Sequence, residues 1–296
     1  MFPASVTTAV LTLLLLVSPA VAAGAATAEA PAAACGTSLT SSEITEITDL
    51  SEPGRELRGD SLARLEDAVV RHHRITDILV RHLDMRGVFA LGLDAVEHSA
   101  VMPMQRDPNR FRDPEFAHAI SYDLLRRFLD NVHAEFSGGT PDPHWAHYFA
   151  LAADCGASRA RVAMAGYNAH LVVDLADSVA AVGAGPEDAE DYFDIVAAIA
   201  SSGDVIVDRT EAVYDADLGP LWRFYFLGEG LDRAFGAGVA SRQLLITADL
   251  GANAVIFSNG LALQNPALEP AIRTEIDLVW RTADATFEVL ARAGAL

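Results

Sequence analysis

The clearest chemistry in this chain sits in one short run, Gly166-Tyr167-Asn168-Ala169-His170-Leu171-Val172-Val173-Asp174-Leu175. In a helix, His170 and Asp174 stand one turn apart on one face. Ala163, Gly166 and Asp177 extend the same narrow stripe, while Val162, Leu171, Val172, Val173, Leu175 and Val179 make the rest of the helix apolar. A helix that is apolar almost all round is a buried one, and its polar stripe must find partners inside the protein. An imidazole and a carboxylate at this spacing can hold a divalent cation such as zinc from a helical scaffold. A metal-bound water there would attack an ester or phosphoester, with Asn168, His170 and Asp174 as the catalytic group and Asp177 or His147 completing the metal shell. The same stripe can instead be a packing network in a non-catalytic extracytoplasmic binding or structural protein. A third reading, a helical ligand carrier, requires a large apolar cavity with the stripe at one end.

The other histidines offer less pattern. His144 and His147 are three apart at a helix start, where exposure is expected. His118 and His133 lie about 60° out of phase on one helix. His72, His73 and His82 sit among arginines and read as a solvated basic face. His98, next to Glu97, carries no recognisable spacing.

Many alternatives are excluded. All 21 basic residues are Arg, so phosphate-loop lysines, Schiff bases and Ser-Lys dyads are absent. There is no Gly-x-Ser-x-Gly, His-Glu-x-x-His or Cys-x-x-Cys. Gly228-Glu229-Gly230 lacks the third glycine of a dinucleotide fingerprint. Asp215-x-Asp217-x-Gly219 lacks the later Gly and Glu of a calcium loop. A net charge of −20 and a pI near 4.6 argue against nucleic acid as a partner.

The elements that must position the stripe are helices. Asp60 reads as an N-cap for a first helix with an apolar stripe from Leu62 to Leu83. A second covers Arg86 to Met102, stopped by Pro103. Asp113-Pro114-Glu115 opens a third, which ends at Gly138-Gly139. Pro141 and Pro143 open a fourth, and the stripe helix covers Ser158 to Val182. Pro186 starts a sixth that continues to Val207 or Tyr214, and further helices fill Leu221–Leu231, Ala240–Leu263 and Ala267–Ala293. The absence of sustained alternation predicts an all-α single domain, 43–296, of about eight or nine helices.

Ahead of that domain, residues 1–22 read as a secretion signal, with an apolar run from Ala9 to Val17 and the small residues Ala20-Val21-Ala22. Residues 23–42 are an Ala/Pro-rich flexible leader. The expected location is extracytoplasmic, with no transmembrane segment. Two cysteines in a secreted chain predict a Cys35–Cys155 disulfide closing a loop of 120 residues. The alternative is a lipid anchor at Cys35 after Ala32-Ala33-Ala34.

The run from Gly166 to Leu175 resembles the Gly-x-Asn-Ala-His-x-x-x-Asp-Leu core of an uncharacterised actinobacterial family, domain of unknown function 5995. Asp113-Pro114-Glu115-Phe116, Trp145 and Trp280-Arg281-x-Ala283 agree with it, over about Arg81 to Arg292. The resemblance implies a helical fold and a site at these residues, and no reaction. Departures are Leu171-Val172-Val173 and Ala176, where the family continues Ile-Asn-x-Asp-Leu-Pro, and Ala197, where an Asn is expected. By analogy alone, the His-x-x-x-Asp also is similar to that of helical zinc-dependent phospholipases C and P1-type nucleases, whose further His ligands are missing here.

Overall fold

Helix starts are chemically marked along the chain of this computed structural model, which describes residues 33–54, 59–218, 239–294 and 296. The signal, the first half of the leader, the expected helix at Leu221–Leu231 and Gly228-Glu229-Gly230 lie outside the described residues. Helix α1, Ser41–Leu50, begins with a reciprocal capping box between Thr40 and Glu43. Asp60 caps α2, Ser61–Arg81, by accepting from the Ala63 amide. Asp113 caps α4, Pro114–Ser137, which Gly138 ends with φ of 75°. Helix α5 is Pro143–Ala153, and Ser158 caps α6, spanning 159–181.

Two expected boundaries differ. Helix α3 spans 88–105 and passes through Pro103. Its middle, Glu97–Val101, widens into a π-helical segment in which the Met102 amide bonds to the Glu97 carbonyl. The widened turn shifts the hydrogen-bond register, so Pro103 falls in the first turn of the segment that follows, where its missing amide is tolerated. The expected sixth helix is two: α7, Ala189–Ser201, and α8, Gly203–Tyr214. Ser201-Ser202-Gly203 is a poor helix former and supplies the break. Helix α9, Val239–Leu263, and α10, Glu269–Arg292, complete the chain.

The chain is all-α: among the described residues there are ten helices, counting each π-interrupted helix once, and no strands. None of these helices is long and apolar enough to cross a membrane. Helix α6 is the hub, touching α3, α4, α5, α9 and α10. Its first half packs into an aromatic-rich core with Phe89, Phe128, Trp145 and Tyr148. Its last turns pack into a second core around Val179, Tyr192 and Phe257.

The segment before α1 is docked from Ala34, which is buried and whose carbonyl accepts from the Met85 amide at 2.8 Å. Cys35 and Cys155 form the expected disulfide, so neither is free. This cross-link removes chain entropy from the unfolded state across its 120-residue separation. A Cys35→Ser/Cys155→Ser double variant should lose about 2–4 kcal/mol in urea unfolding, and an unchanged midpoint would show that the bridge is dispensable.

Candidate functional site

The crossing of α3 and α6 brings the site together. Gly166 has no room for a side chain: a Cβ there would lie 2.6 Å from Phe89 Cβ. The missing side chain at Gly166 therefore lets α3 approach α6 closely. One turn further on, His170 is buried against Phe89, with ring centroids 5.2 Å apart. The π-helical segment Ala169–Asp174 then turns Asp174 toward α5.

Asp174 is fully engaged there. His144 Nε2 lies 2.9 Å from its Oδ1, and Trp145 Nε1 donates to its Oδ2 at 2.8 Å. Burial raises the Asp174 pKa above the usual carboxylate range, against the lowering effect of these two partners. His144, expected at an exposed helix start, is itself buried. Asn168 donates from Nδ2 to the Trp280 carbonyl at 2.9 Å, which ties α6 to α10.

The sequence-predicted metal shell does not converge. His147 faces Asp284 at 3.0 Å and Arg161 at 3.4 Å. Asp177 pairs with Arg273 at 3.2 Å and Arg127 at 3.6 Å. Asp174 is held by α5, so Asp174, Asp177 and His147 point to three different sets of partners.

His170 is left without one. It makes no hydrogen bond to any described residue, and its Nδ1 is sealed from solvent. Burial and then the nearby charge of His72 push its pKa down to about 3, so the ring is neutral. His170 lines a cavity of about 230 Å³ between the two cores. Val69, Leu93, Leu125, Val172, Ile195 and Ile256 are among its apolar walls, and Glu97, Ser121, Asn168 and Asn253 are among its polar ones.

Glu97 belongs to a group that the sequence reading passed over. His72 is fully buried, not solvated, and its Nδ1 lies 2.7 Å from Glu97 Oε2. Burial opposes the charge on His72, but Glu97 and then Asp94 outweigh it and raise the His72 pKa. Two overlapping sets of potential ligand atoms, His72–Asp94–Glu97 and His73–Asp94–His98, each lie within 4.8 Å of one another. The available signal was Asp94-x-x-Glu97-His98 facing His72-His73 across two consecutive helices. The remaining histidines have structural partners: His118 with Ser61 and the Gln105 carbonyl, His133 with the Thr48 carbonyl, and His82 with Glu43.

The chain belongs to DUF5995, a family of unknown function, whose model matches residues 65–234. The match starts ahead of the expected Arg81 and ends before α9, so it takes in His72, Asp94, Glu97, His170 and Asp174 but not α10. No curated protein and no solved structure matches the chain.

Two outcomes follow. Gly166→Ala should destabilise the protein by about 1–3 kcal/mol in denaturant titration, because Phe89 must move. For His170, the unfolded ring takes a proton near pH 6.5 and the folded ring only near 3. Its effect on stability is therefore absent above pH 6.5, and stability is lost as pH falls from there toward 3. His170→Phe should show a smaller loss of urea midpoint between pH 7 and pH 4.5 than the parent, since the other titrating groups are common to both. Equal losses would contradict a neutral His170.

Proposed function

We propose that this protein binds a small apolar molecule with a neutral hydrogen-bonding head, such as a long-chain or cyclic alcohol, outside the cytoplasm. The observation that carries the reading is His170, a buried neutral imidazole with no hydrogen bond to any described residue, on the wall of a largely apolar cavity. Leaving such a group unsatisfied costs about 1–3 kcal/mol, and a ligand hydroxyl placed against it offsets that cost. The apolar body of the ligand takes the space between the two cores. The head is neutral because Glu97 is the one acidic group among the described wall residues, and no described cation lines the wall. An anionic head would face Glu97 with no charge to balance it.

An extracytoplasmic location is supported by the Cys35–Cys155 disulfide and by the signal-like first 22 residues. The strong negative charge favours a small-molecule partner over nucleic acid. A metal-dependent hydrolase of esters or phosphoesters is the second reading. Glu97 favours it, being shared between the cavity wall and the buried His72–Asp94–Glu97 group.

The test is calorimetric titration with a long-chain alcohol and the carboxylic acid of the same chain length. The alcohol should bind at least ten-fold more tightly than the acid, and Val172→Phe should abolish binding while keeping the thermal midpoint. Binding of neither compound would end the carrier reading, and equal binding would end the neutral-head assignment. Release of alcohol from an ester, lost in Glu97→Gln, would establish the hydrolase instead.

A further inference from the structure

We infer that His73, Asp94 and His98 form a binding site for one divalent transition-metal ion on the solvent side of the α2–α3 pair. The inference is independent of what occupies the cavity. Helices α2 and α3 pack side by side, and their facing residues aim at one carboxylate. His73 Nδ1 lies 2.9 Å from Asp94 Oδ1 and 3.1 Å from Oδ2. His98 Nδ1 lies 3.2 Å from the same Oδ1, and the two imidazole rings are 5.0 Å apart. Two ligands bound at about 2.1 Å around a tetrahedral ion sit roughly 3.4 Å apart. Both imidazole-to-carboxylate separations are already close to that, and all three ligand atoms lie within 4.8 Å of one another.

The side chains around the cluster support the same chemistry. His73 Nε2 faces Asp77 Oδ2 at 3.7 Å. Without an ion, the 2.9 Å contact is a hydrogen bond from His73 Nδ1–H to Asp94; when an ion replaces that proton, Asp77 favours the N–H on the far nitrogen. His98 Nδ1 is also 2.9 Å from the Asp94 main-chain oxygen. Ion binding exchanges that hydrogen bond for a bond from Nδ1 to the metal.

The donor set and its exposure define the class of ion. Two imidazoles and one carboxylate suit zinc, iron, cobalt or nickel, and not magnesium or calcium, which prefer oxygen. Both imidazole side chains are about half exposed, at 49% and 51%, whereas Asp94 is 12% exposed. The ion therefore has an entry path and keeps positions for water, while the carboxylate is held in place. The overlapping inner group is a poorer host. His72 and Glu97 already spend their facing atoms on each other, and both are sealed from solvent.

The test is titration of the untagged, disulfide-intact protein with zinc against a chromophoric chelator, and with cobalt(II) followed by its visible absorption. One ion should bind per chain, with cobalt bands typical of four or five nitrogen and oxygen ligands. His73→Ala/His98→Ala should weaken zinc binding at least 100-fold and remove the cobalt bands, with the thermal midpoint retained because both rings are half exposed. A His73→Gln/His98→Gln variant serves the same purpose if the alanine form unfolds. Absence of binding in the parent, or binding that survives both double variants, would overturn the inference.

Discussion

Helix α6 is buried on nearly every side, and it still carries an amide, an imidazole and two carboxylates. The cost of leaving a buried polar group unpaired governs how the other helices must sit around it. Asp174 requires donors, and the first turn of α5 delivers two, from His144 and Trp145. Asn168 requires an acceptor, and α10 delivers the Trp280 carbonyl. Asp177, further along, is exposed enough to be met by Arg127 and Arg273. Of the four groups, His170 alone makes no hydrogen bond to a described residue, and the proposed ligand role rests on that.

The wider architecture follows from the same constraint. Phe89 fills the gap at Gly166 and brings α3 against α6, and this close approach fixes the wall of the cavity on which Glu97 sits. Both helices widen into π segments, at Glu97–Val101 and Ala169–Asp174. The two segments carry Glu97 and His170, which both line the cavity. A π segment rotates the residues after it relative to an ordinary helix, and such segments gather at functional sites. Glu97 is then close enough to α2 to engage His72, while the buried Asp94 meets the half-exposed His73 and His98.

Much of this is legible in the residue pattern, for physical reasons that can be named. The apolar girdle of α6 implied a buried helix, and its stripe residue Asp174 and the amide of Asn168 on another side both find protein partners. What they would find was not legible, because the partners come from residues as distant as Trp280. The sequence gives His144 only an exposed-looking helix start, and burial there depends on α10 covering it with Trp280. His72 looks solvated because arginines precede and follow it, yet helical geometry turns it inward while Arg74 turns out. Helix α1 was signalled by Thr40-x-x-Glu43, a capping pattern masked by the Ala/Pro-rich composition before it. The π segments had no sequence signature beyond Pro103, which would ordinarily end a helix.

The central claim is that His170 is neutral and reserved for a ligand. The most direct measurement is nitrogen-15 NMR of the protein labelled at histidine, with and without a bound apolar alcohol. The account predicts one imidazole, assigned through its loss in His170→Phe, that stays neutral from pH 7 to pH 4.5 and whose ring-nitrogen shifts move on addition of the alcohol. A His170 resonance that titrates near pH 6.5, or one unmoved by saturating alcohol, would contradict it.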